Sequence, residues 1–374
     1  MAVVHSSEDG WLLDERSFYC KIYKEFGRTY NPNLYAINGP FLNESQFKAL
    51  KQREDAAAPR RRKRKQKHYS NSSSDLRAEF ANFVAQKSCS LIEVGLQCSY
   101  FQASPCTTVQ DNNLDAKQAQ ACFVSVLKTY SLEDNGNDLA LASVSASVQF
   151  HANQNPSCAK STWNGYDILL PPSSEFAVGD VKPAVCQLAN EGKKYDLIVI
   201  DPPWDNRSVR RKRSYSTSKE SDLQDLNLDM LLDSNGLLVI WITNNQRIMN
   251  YVSEYLLPFW RMQVIGIWHW LKVTQRGKPV HPYNIHYKLP FENLFVACSQ
   301  NSQIACRVPK KRVIVSIPCS ISSRKPPLND VLSAYLRPSY LTLELFARGL
   351  LPRTTSVGRQ AIAFQAASLF VDLD

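Results

Sequence analysis

The sequence predicts an α/β fold, with a doubly wound sheet in a C-terminal domain and an accessory region before it. Tyr195–Ile200 is a short apolar run rich in β-branched residues, and Leu237–Thr243 is a second such run. Both are typical of strands buried on both faces of a parallel sheet. Helical patterns separate them from further strand-like segments, and this alternation predicts the fold over about residues 160–370.

The other elements are predicted from hydrophobic spacing in chain order. Apolar residues at helical spacing predict an amphipathic helix from Asp75 to about Ser99. Leucines between 223 and 232 predict a helix that ends near Asn235-Gly236. Asn244 or Asn245 can cap the next helix, which runs towards Leu257-Pro258. The remaining predictions are strands at 264–273, 293–297, 313–317 and 340–346 and a helical piece at about 329–336.

Composition divides the chain into four predicted parts. They are a small accessory segment (1–55), a basic disordered linker (56–74), an accessory region (75–160) and the main domain (161–374). The linker holds a basic run from Arg60 to Lys67, and its Ala, Pro and Ser flanks cannot pack a core. The run predicts nuclear import, with some protein also in the cytoplasm, and a nucleic-acid-binding arm or a merely solvated charge run are the alternatives.

Bulk properties exclude several classes of protein. The 374 residues carry a net charge of +10, which favours a polyanionic partner such as nucleic acid. No apolar run is long enough for a membrane span, and the first residues lack the pattern of a signal peptide. Ten cysteines without a C-x-x-C pair support neither a zinc site nor a disulfide framework. For His281 and His286 we favour a loop over a metal site, so no metal is predicted.

The tetrapeptide Asp201-Pro202-Pro203-Trp204 directly follows the first predicted strand. In open α/β sheets, ligands bind at the carboxyl ends of the strands. The Asp201 carboxylate and the Pro202 carbonyl, which the consecutive prolines hold rigid, can accept the two hydrogens of an exocyclic amino group. Trp204 offers a flat face on which a base can stack. The alternative is a strand-ending turn with a core tryptophan.

Six ordered blocks over about residues 160–370 resemble the DPPW-type adenine-N6 methyltransferases. This family includes the catalytic subunit of the messenger-RNA adenosine methylase, and the resemblance is strongest to its methyltransferase-like protein four branch. The blocks are DPPWDN at Asp201–Asn206, SNGLLVIWITN at Ser234–Asn244, WHWLKVT at Trp268–Thr274, VSIPC at Val315–Cys319, KPPL at Lys325–Leu328 and LELFAR at Leu343–Arg348.

The resemblance implies a Rossmann-like methyltransferase domain over residues 161–374, with a permuted motif order and S-adenosylmethionine as cofactor. It implies that Asp201, Pro202, Pro203 and Trp204 are catalytic. The family usually has asparagine near two positions that are Gly349 and Arg359 here, so two amide contacts to the cofactor are missing or replaced. The resemblance also indicates which residues bind the cofactor. These candidates are Asp201, Lys288, Glu344, Phe346, Arg348, Arg359 and Gln360.

Two polar loops are candidates for gripping the substrate, with plain solvated loops as the alternative. The first, after Asp205, is basic around one aromatic residue, which suits phosphate contacts while a target base leaves its stack. The second runs from Thr274 to Tyr287 and should face the first across the site. The candidate substrate-binding residues are Asn206, Arg210, Arg211, Lys212, Arg213, Tyr215, Lys278 and Tyr283.

The resemblance implies N6-methylation of adenosine in RNA, with small nuclear RNA and its ribose-methylated adenosine as the suggested target. DNA adenine methylation by the same site is the first alternative, because no motif here reports contact with the ribose 2′-hydroxyl. A catalytically silent RNA-binding scaffold is the second. A protein partner is neither required nor excluded by the sequence, and no membrane is expected.

Overall fold

The computed structural model describes eight stretches of the chain. They are residues 2–41, 71–102, 116–118, 121, 147–204, 223–285, 288–321 and 324–373. The basic run from Arg60 to Lys67 and the loop from Asp205 to Lys219 lie outside them. Within the described residues, no helix is long and apolar enough to cross a membrane. No group of three or more candidate ligands that could hold a metal ion occurs among them either.

One large mixed sheet organises the fold. The described strands are β1 Val3–Ser6, β2 Gly10–Leu13, β3 Arg28–Tyr30, β4 His151–Asn153, β5 Ala159–Trp163, β6 Tyr166–Leu170, β7 Ser174–Val178, β8 Tyr195–Ile200, β9 Leu232–Ile242, β10 Met262–Lys272, β11 Phe291–Ser299, β12 Lys311–Ser316, β13 Thr342–Leu345, β14 Thr354–Gly358 and β15 Phe370–Asp372. In the large sheet the strands lie in the order β1-β2-β12-β10-β11-β9-β8-β13-β14-β7-β4. The pairs β15–β3 and β5–β6 form two small sheets.

Helices cover the sheet and join its strands. The described α-helices are α1 Glu15–Tyr23, α2 Asn71–Gln97, α3 Val181–Asn190, α4 Gln246–Asn250 and α5 Asn329–Leu332. Helix α4 continues through a π-helical segment Tyr251–Leu256 into a last turn Leu257–Phe259. Asp14 caps α1 by accepting from the Ser17 backbone amide at 3.0 Å, and Asn245 caps α4 by accepting from the Arg247 amide at 3.0 Å.

Most of the large sheet runs in one direction. The strands β8, β9, β13, β14 and β7 are mutually parallel. The strands β10, β12 and β2 share their direction, because β11 pairs antiparallel with both β9 and β10. The carboxyl ends of these eight strands therefore meet at one edge, which we call the carboxyl edge, where ligands bind in open α/β sheets.

Alternate residues of the central strands enter two separate cores. Ile198 and Ile240 pack in one cluster, together with Phe80, Val84 and Leu91 of α2. Leu197 and Trp241, from the same two strands, pack in the other cluster. Because neighbouring residues of a strand point to opposite faces, both faces of the sheet are buried. The predicted α/β class and the predicted strand Tyr195–Ile200 are confirmed.

The N-terminal residues are built into the main sheet. Strand β2 pairs in parallel with β12, and β1 pairs with β2 as the edge strand. Strand β3 pairs with the C-terminal β15, and Tyr30 donates from its hydroxyl to the Phe364 carbonyl at 2.7 Å. Residues 2–41 therefore contact both the sheet and the C-terminal strand β15, while the boundaries of the four predicted parts stay predictions.

One predicted helix is wrong. The leucines between 223 and 232 form a single helical turn, a 3-10 helix Leu228–Met230 and the start of β9. Asn227 adopts a left-handed conformation with φ of 46°, which interrupts the helix. Asn235-Gly236, predicted to end that helix, lies inside β9 where its register with β8 shifts. The helical piece at 329–336 is also shorter than predicted, because α5 ends at Leu332.

The other predicted elements are found close to their expected positions. The helix expected from Asp75 to Ser99 is α2, which begins four residues earlier and ends at Gln97. Of the two residues expected to cap the next helix, Asn245 is the one that caps α4. Strands β10, β11, β12 and β13 overlap the four runs predicted as strands.

Candidate active site at the carboxyl edge

The tetrapeptide 201–204 leaves β8 at the carboxyl edge. Ile200 ends the strand, and Asp201 and the two prolines follow without regular structure. The Trp204 backbone amide donates to the Pro202 carbonyl at 2.8 Å, and the Trp204 indole Nε1 donates to the Trp241 carbonyl at 2.7 Å. These two bonds fix the tight turn and tie it to the neighbouring strand β9. One lone pair of the Pro202 carbonyl oxygen is used, and the second can accept another donor.

Trp204 is a structural residue in this arrangement. Its side chain is 7 % exposed and packs in the core cluster that contains α2. Its polar edge is satisfied by the Trp241 carbonyl. The observed role is thus to anchor the turn that presents Asp201, and the predicted stacking of a base on Trp204 stays a prediction.

Asp201 belongs to a row of alternating charges. Lys325 Nζ donates to Asp201 Oδ2 at 2.7 Å and lies 3.4 Å from Glu292 Oε2. Lys272, the last residue of β10, pairs with the other carboxylate oxygen of Glu292. The row Lys272–Glu292–Lys325–Asp201 crosses the carboxyl edge from β10 to β8, because Glu292 is the second residue of the antiparallel strand β11.

The row stabilises the charged forms of Glu292 and Lys325. Although burial alone would raise the pKa of Glu292, Lys272 and Lys325 hold it well below its ordinary value. Burial would lower the pKa of Lys325, but the carboxylates of Asp201 and Glu292 together raise it. The tryptophan rings of β9 and β10 lie beside the two lysines, with Lys325 Nζ 5.5 Å from the Trp241 centroid and Lys272 Nζ 4.3 Å from that of Trp270.

A cleft that is open to solvent lies beside Asp201. Leu197 and Val199 line it from one face of β8, Asp201 lines it just beyond the end of β8, and Thr342 and Glu344 line it from the adjacent parallel strand β13. Burial and the negative charge of Asp201 raise the pKa of Glu344 to about 7. Further lining residues from the loops after β12 and β13 are Arg324, Lys325, Phe346, Arg348, Gly349 and Leu350.

A strained turn shapes the cleft beyond β13. Phe346 has a φ of 61°, a conformation that is costly for a bulky side chain. The backbone beyond it is packed against β14, because a Cβ on Gly358 would lie 2.7 Å from the Ala347 carbonyl oxygen. Gly358 therefore permits the close approach that holds Phe346 and Arg348 at the cleft.

The predicted cofactor residues divide into two groups. Asp201, Glu344, Phe346 and Arg348 all line the cleft. Arg359 instead pairs with Asp180 at 3.3 Å, and both side chains are exposed. Neither Arg359, Gln360 nor Lys288 is among the described residues that line the cleft. Lys288 is exposed, and its charge acts on Glu292 and His281. The cofactor roles of these three residues stay predictions.

The second predicted substrate loop is fastened to the N-terminal segment. The Gln275 amide donates to the Ile37 carbonyl at 2.7 Å, and the Phe41 amide donates to the Val280 carbonyl at 2.7 Å. Tyr283 packs against the core, and burial raises its pKa to about 12, whereas Lys278 is exposed. The substrate roles of both residues stay predictions. The other candidates, Asn206, Arg210, Arg211, Lys212, Arg213 and Tyr215, lie outside the described residues, as does His286.

Sequence reasoning missed the partner of Asp201. Lys325 stands in the KPPL block, but from the sequence it receives no role of its own. The lysine that the sequence assigns to the site is Lys288, because the position of Lys288 ahead of Glu292 resembles that of a family lysine. Nothing in the spacing places Lys325 beside Asp201, because 124 residues separate them. Lys272 and Glu292 were missed for the same reason, since they meet through the pairing of Trp270 with Glu292 across β10 and β11.

Comparison with known proteins agrees with this geometry. Residues 195–360 match the MT-A70 family, and this span contains Asp201, Lys325 and Glu344. A "DNA N6-methyl methyltransferase" of Caenorhabditis elegans is 32% identical over 372 residues, which cover 96% of this chain and 97% of the relative. The chain belongs to the MT-A70 family. The family is one of methyltransferases, and the resemblance inferred from the sequence blocks is thereby confirmed.

Other MT-A70 relatives match a shorter part. The "N(6)-adenine-specific methyltransferase METTL4" of Mus musculus is 35% identical over 257 residues, 66% of this chain and 54% of the relative. The "N6-methyladenosine RNA methyltransferase MTA1" of Pyricularia oryzae is 32% identical over 212 residues, 54% of this chain and 56% of the relative. The chain thus spans about half the length of these two proteins.

Proposed function

We propose that this MT-A70 protein transfers a methyl group from S-adenosylmethionine to N6 of adenine in RNA. The observation that carries the proposal is the position of Asp201, which stands at the end of β8, beside the cleft and next to Lys325. The names of the relatives support adenine N6 as the methylated position.

The cleft suits such a cofactor in its chemistry. An adenosyl group linked to an amino acid needs apolar surface, hydrogen-bond acceptors for hydroxyl and ammonium groups, and a cation for the carboxylate. Leu197, Val199 and Phe346 supply apolar surface, and Asp201 and Glu344 supply acceptors. Lys325 and Arg324 supply positive charge at the same cleft. S-adenosylmethionine, when bound, contributes a methyl group on a positively charged sulfur.

The protein's own part in the reaction is to prepare the amino group. The lone pair of adenine N6 is delocalised into the ring, so N6 is a poor nucleophile. We propose that Asp201 accepts one N6 hydrogen and that the second lone pair of the Pro202 carbonyl accepts the other, which localises the lone pair on N6. Positioning of N6 against the methyl group then contributes most of the rate enhancement. The proton that N6 loses after the transfer goes to Asp201 or to water.

RNA is proposed over DNA on the grounds of the sequence resemblance, with small nuclear RNA and its 2′-O-methyladenosine as the candidate target. The basic run from Arg60 to Lys67 supports a nuclear location and the basic loop after Asp205 supports phosphate contacts. DNA is the second candidate, because the relative that matches almost the whole chain is named for DNA. A silent scaffold is disfavoured by the intact tetrapeptide and the charged row behind Asp201.

The test is methyl transfer to matched substrates. Purified protein is incubated with isotope-labelled S-adenosylmethionine and three oligonucleotides of one sequence, which are RNA, DNA and RNA with one 2′-O-methyladenosine. Nucleoside mass spectrometry then identifies the product, and Asp201→Ala serves as the blank. We expect N6-methyladenine in RNA that disappears in the variant.

Other products would change the proposal in defined ways. Methylation confined to the DNA oligonucleotide would replace RNA by DNA as the substrate. Absence of product on all three, together with absence of S-adenosylhomocysteine binding in calorimetry, would favour the scaffold.

A further inference from the structure

A separate cavity lies at the carboxyl edge, beyond the ends of β2 and β12. Its volume is about 250 Å³. Asp14, Glu15 and Arg16, which directly follow β2, line this cavity, and so does Ile317, which directly follows β12. Pockets for drug-sized ligands measure about 300–1,000 Å³, so a group of the size of one nucleobase suits this cavity better.

This cavity is distant from the catalytic tetrapeptide along the same edge. In the large sheet, five strand spacings separate β2 from β8, and β12 lies next to β2. With about 4.8 Å per spacing, the cavity and Asp201 are roughly 20 Å apart. One base cannot occupy both places. A single strand that has its target adenine at Asp201 reaches the cavity with a base several nucleotides away.

Two buried side chains of the cavity each have a polar atom without a partner. Glu15 is 1 % exposed, and its Oε2 has no hydrogen-bond partner among the described residues. The hydroxyl of Tyr35, a residue that is 4 % exposed, has none among them either. Buried polar groups of proteins nearly always have partners, so a group that binds in the cavity is expected to supply them.

The other oxygen of Glu15 is fixed by a chain of hydrogen bonds. Trp270 Nε1 donates to the Ser316 hydroxyl oxygen at 2.8 Å, and that hydroxyl donates its only hydrogen to Glu15 Oε1 at 2.6 Å. Oε2 is therefore held in place as an acceptor. Burial raises the pKa of Tyr35 well above its ordinary value, so its hydroxyl stays protonated and can donate. Glu15 and Tyr35 thus offer one acceptor and one donor.

Other residues of the cavity suit the rest of a nucleotide. Arg16 is exposed and can pair with a phosphate. The Tyr100 hydroxyl donates to the Leu13 carbonyl at 2.9 Å, which fixes a ring on which a base can stack. Gln275, from the second predicted substrate loop, also lines the cavity.

We propose that this cavity binds one unpaired guanine of the substrate strand, several nucleotides from the target adenine. This inference rests on the proposed function, because it needs a nucleic-acid substrate. The Watson–Crick edge of guanine has two adjacent N–H donors beside the O6 acceptor. The donors suit Glu15 Oε2, and O6 suits the Tyr35 hydroxyl. Adenine, cytosine and uracil do not have two adjacent donors on this edge.

A pair of substrates with guanine or inosine isolates one of these donors, because the two bases differ only in the 2-amino group. Each non-target position of an oligonucleotide that the protein methylates is occupied in turn by guanine and by inosine. Initial rates at about pH 8, above the pKa of about 7 that burial gives Glu15, yield kcat and KM. At one position remote from the target we expect KM to be about tenfold lower for guanine, with kcat unchanged, in line with the discrimination of a base contact.

The variant Glu15→Gln assigns this preference to the cavity. Its amide oxygen still accepts from Ser316, so its NH2 group takes the place of Oε2 and a donor replaces the acceptor. The variant should have the same KM for both substrates, close to the wild-type KM for inosine. The control is Glu25→Gln, which makes the same charge change at an exposed side chain that does not line the cavity. It should keep the tenfold preference.

The remaining outcomes each overturn the inference. Equal KM values for guanine and inosine at every remote position do so without any variant, and they leave the proposed function standing. A preference confined to the positions next to the target does so too, because the cavity lies too far from Asp201. A preference that Glu15→Gln retains assigns the guanine to another surface. If no oligonucleotide is methylated, the proposed function fails and this inference with it.

Discussion

Two aspartates of one strand show how differently the same side chain can be used. Asp196 stands near the start of β8, is 4 % exposed, and accepts from Arg337 Nη2 at 3.0 Å and from the Leu341 amide at 2.9 Å. Arg337 Nε donates to its other oxygen at 2.5 Å. Asp201, just beyond the end of the strand, has Lys325 as its described partner and lies beside the cleft.

The difference separates a closed contact from an open one. Both oxygens of Asp196 are engaged by donors that precede β13, so this carboxylate fixes the edge of the sheet opposite the cleft. The lysine at Asp201 is shared with Glu292, and the Asp201 side chain remains 26 % exposed. Asp201 can therefore accept a donor from a ligand, whereas Asp196 serves the fold.

The largest expected effect comes from replacing the open carboxylate. Asp201→Asn preserves shape but replaces one accepting carboxylate oxygen by an NH2 group and removes the negative charge that strengthens the bond from an N6 hydrogen. We expect the methyl-transfer rate to fall by about 10²–10⁴-fold, the usual range for a group that assists proton movement. Single-turnover assays with the preferred oligonucleotide measure the rate, and thermal unfolding should give a Tm close to that of the wild type.

The matched control is the same change at the closed carboxylate. Asp196→Asn should leave the single-turnover rate within a few-fold of wild type while it lowers the Tm. Equal rate losses in the two variants would contradict the assignment of separate roles to the two aspartates.

The second prediction concerns stability. Asp196→Ala removes the acceptor for three donors and leaves the Leu341 amide without its partner. We expect the free energy of unfolding to decrease by about 2 kcal/mol, because unsatisfied buried groups cost that much. Urea titration measures the change, and binding of S-adenosylhomocysteine to the folded variant should keep its wild-type affinity. A variant as stable as the wild type would show that the Arg337 contact is dispensable.

The sequence predicts the strand that carries the site and the position of Asp201 better than the side-chain contacts made there. Tyr195–Ile200 was found because strands buried on both faces are short apolar runs, and Asp201 was placed correctly because it follows such a strand. Asp201, Glu344, Phe346 and Arg348 line one cleft, as the two blocks that contain them suggested.

Contacts between distant segments could not be predicted in this way. Lys325 reaches Asp201, and Tyr19 and Phe364 enclose Arg324, only after the sheet order has been set. The helix between 223 and 232 was wrong because leucine spacing fits a helix, whereas pairing of Leu232 with Tyr195 makes this position a strand. Register within the sheet is a tertiary property, and the spacing of one segment does not report it.

Glu292 and Glu15 show how lysine partners change the pKa of a buried carboxyl group. Glu292 has Lys272 and Lys325 as partners, and its pKa lies well below the ordinary value although burial opposes this. Glu15, which is 1 % exposed, accepts from the Ser316 hydroxyl at 2.6 Å. Burial raises its pKa to about 7, with Arg324 and Lys272 opposing this from a distance and Asp14 adding to it.

The smallest expected effect follows from this raised pKa. In the unfolded chain Glu15 has the ordinary pKa of 4.5, so the folded state binds more protons between about pH 4.5 and 7. Protonated Glu15 therefore makes its full contribution to the free energy of unfolding below about pH 4.5, and this contribution is lost as the pH rises through about 7. Between pH 5 and pH 6 the loss is about 1 kcal/mol. Glu15→Gln does not titrate and should lack this loss.

Urea unfolding of the wild type and of Glu15→Gln at pH 5 and pH 6 measures the difference. The glutamine can still accept the Ser316 hydroxyl through its amide oxygen, so the shape of the contact is kept. From pH 5 to pH 6 we expect the free energy of unfolding of the wild type to fall by about 1 kcal/mol relative to that of the variant, because only the wild type loses a bound proton at this position. The same change at Glu292, which has its lysines, should produce no such gain, because that carboxylate is already ionised in the folded state at both pH values. Parallel curves for the wild type and Glu15→Gln would mean that Glu15 is ionised in the folded protein, and that Arg324 and Lys272 lie close enough to act as its partners.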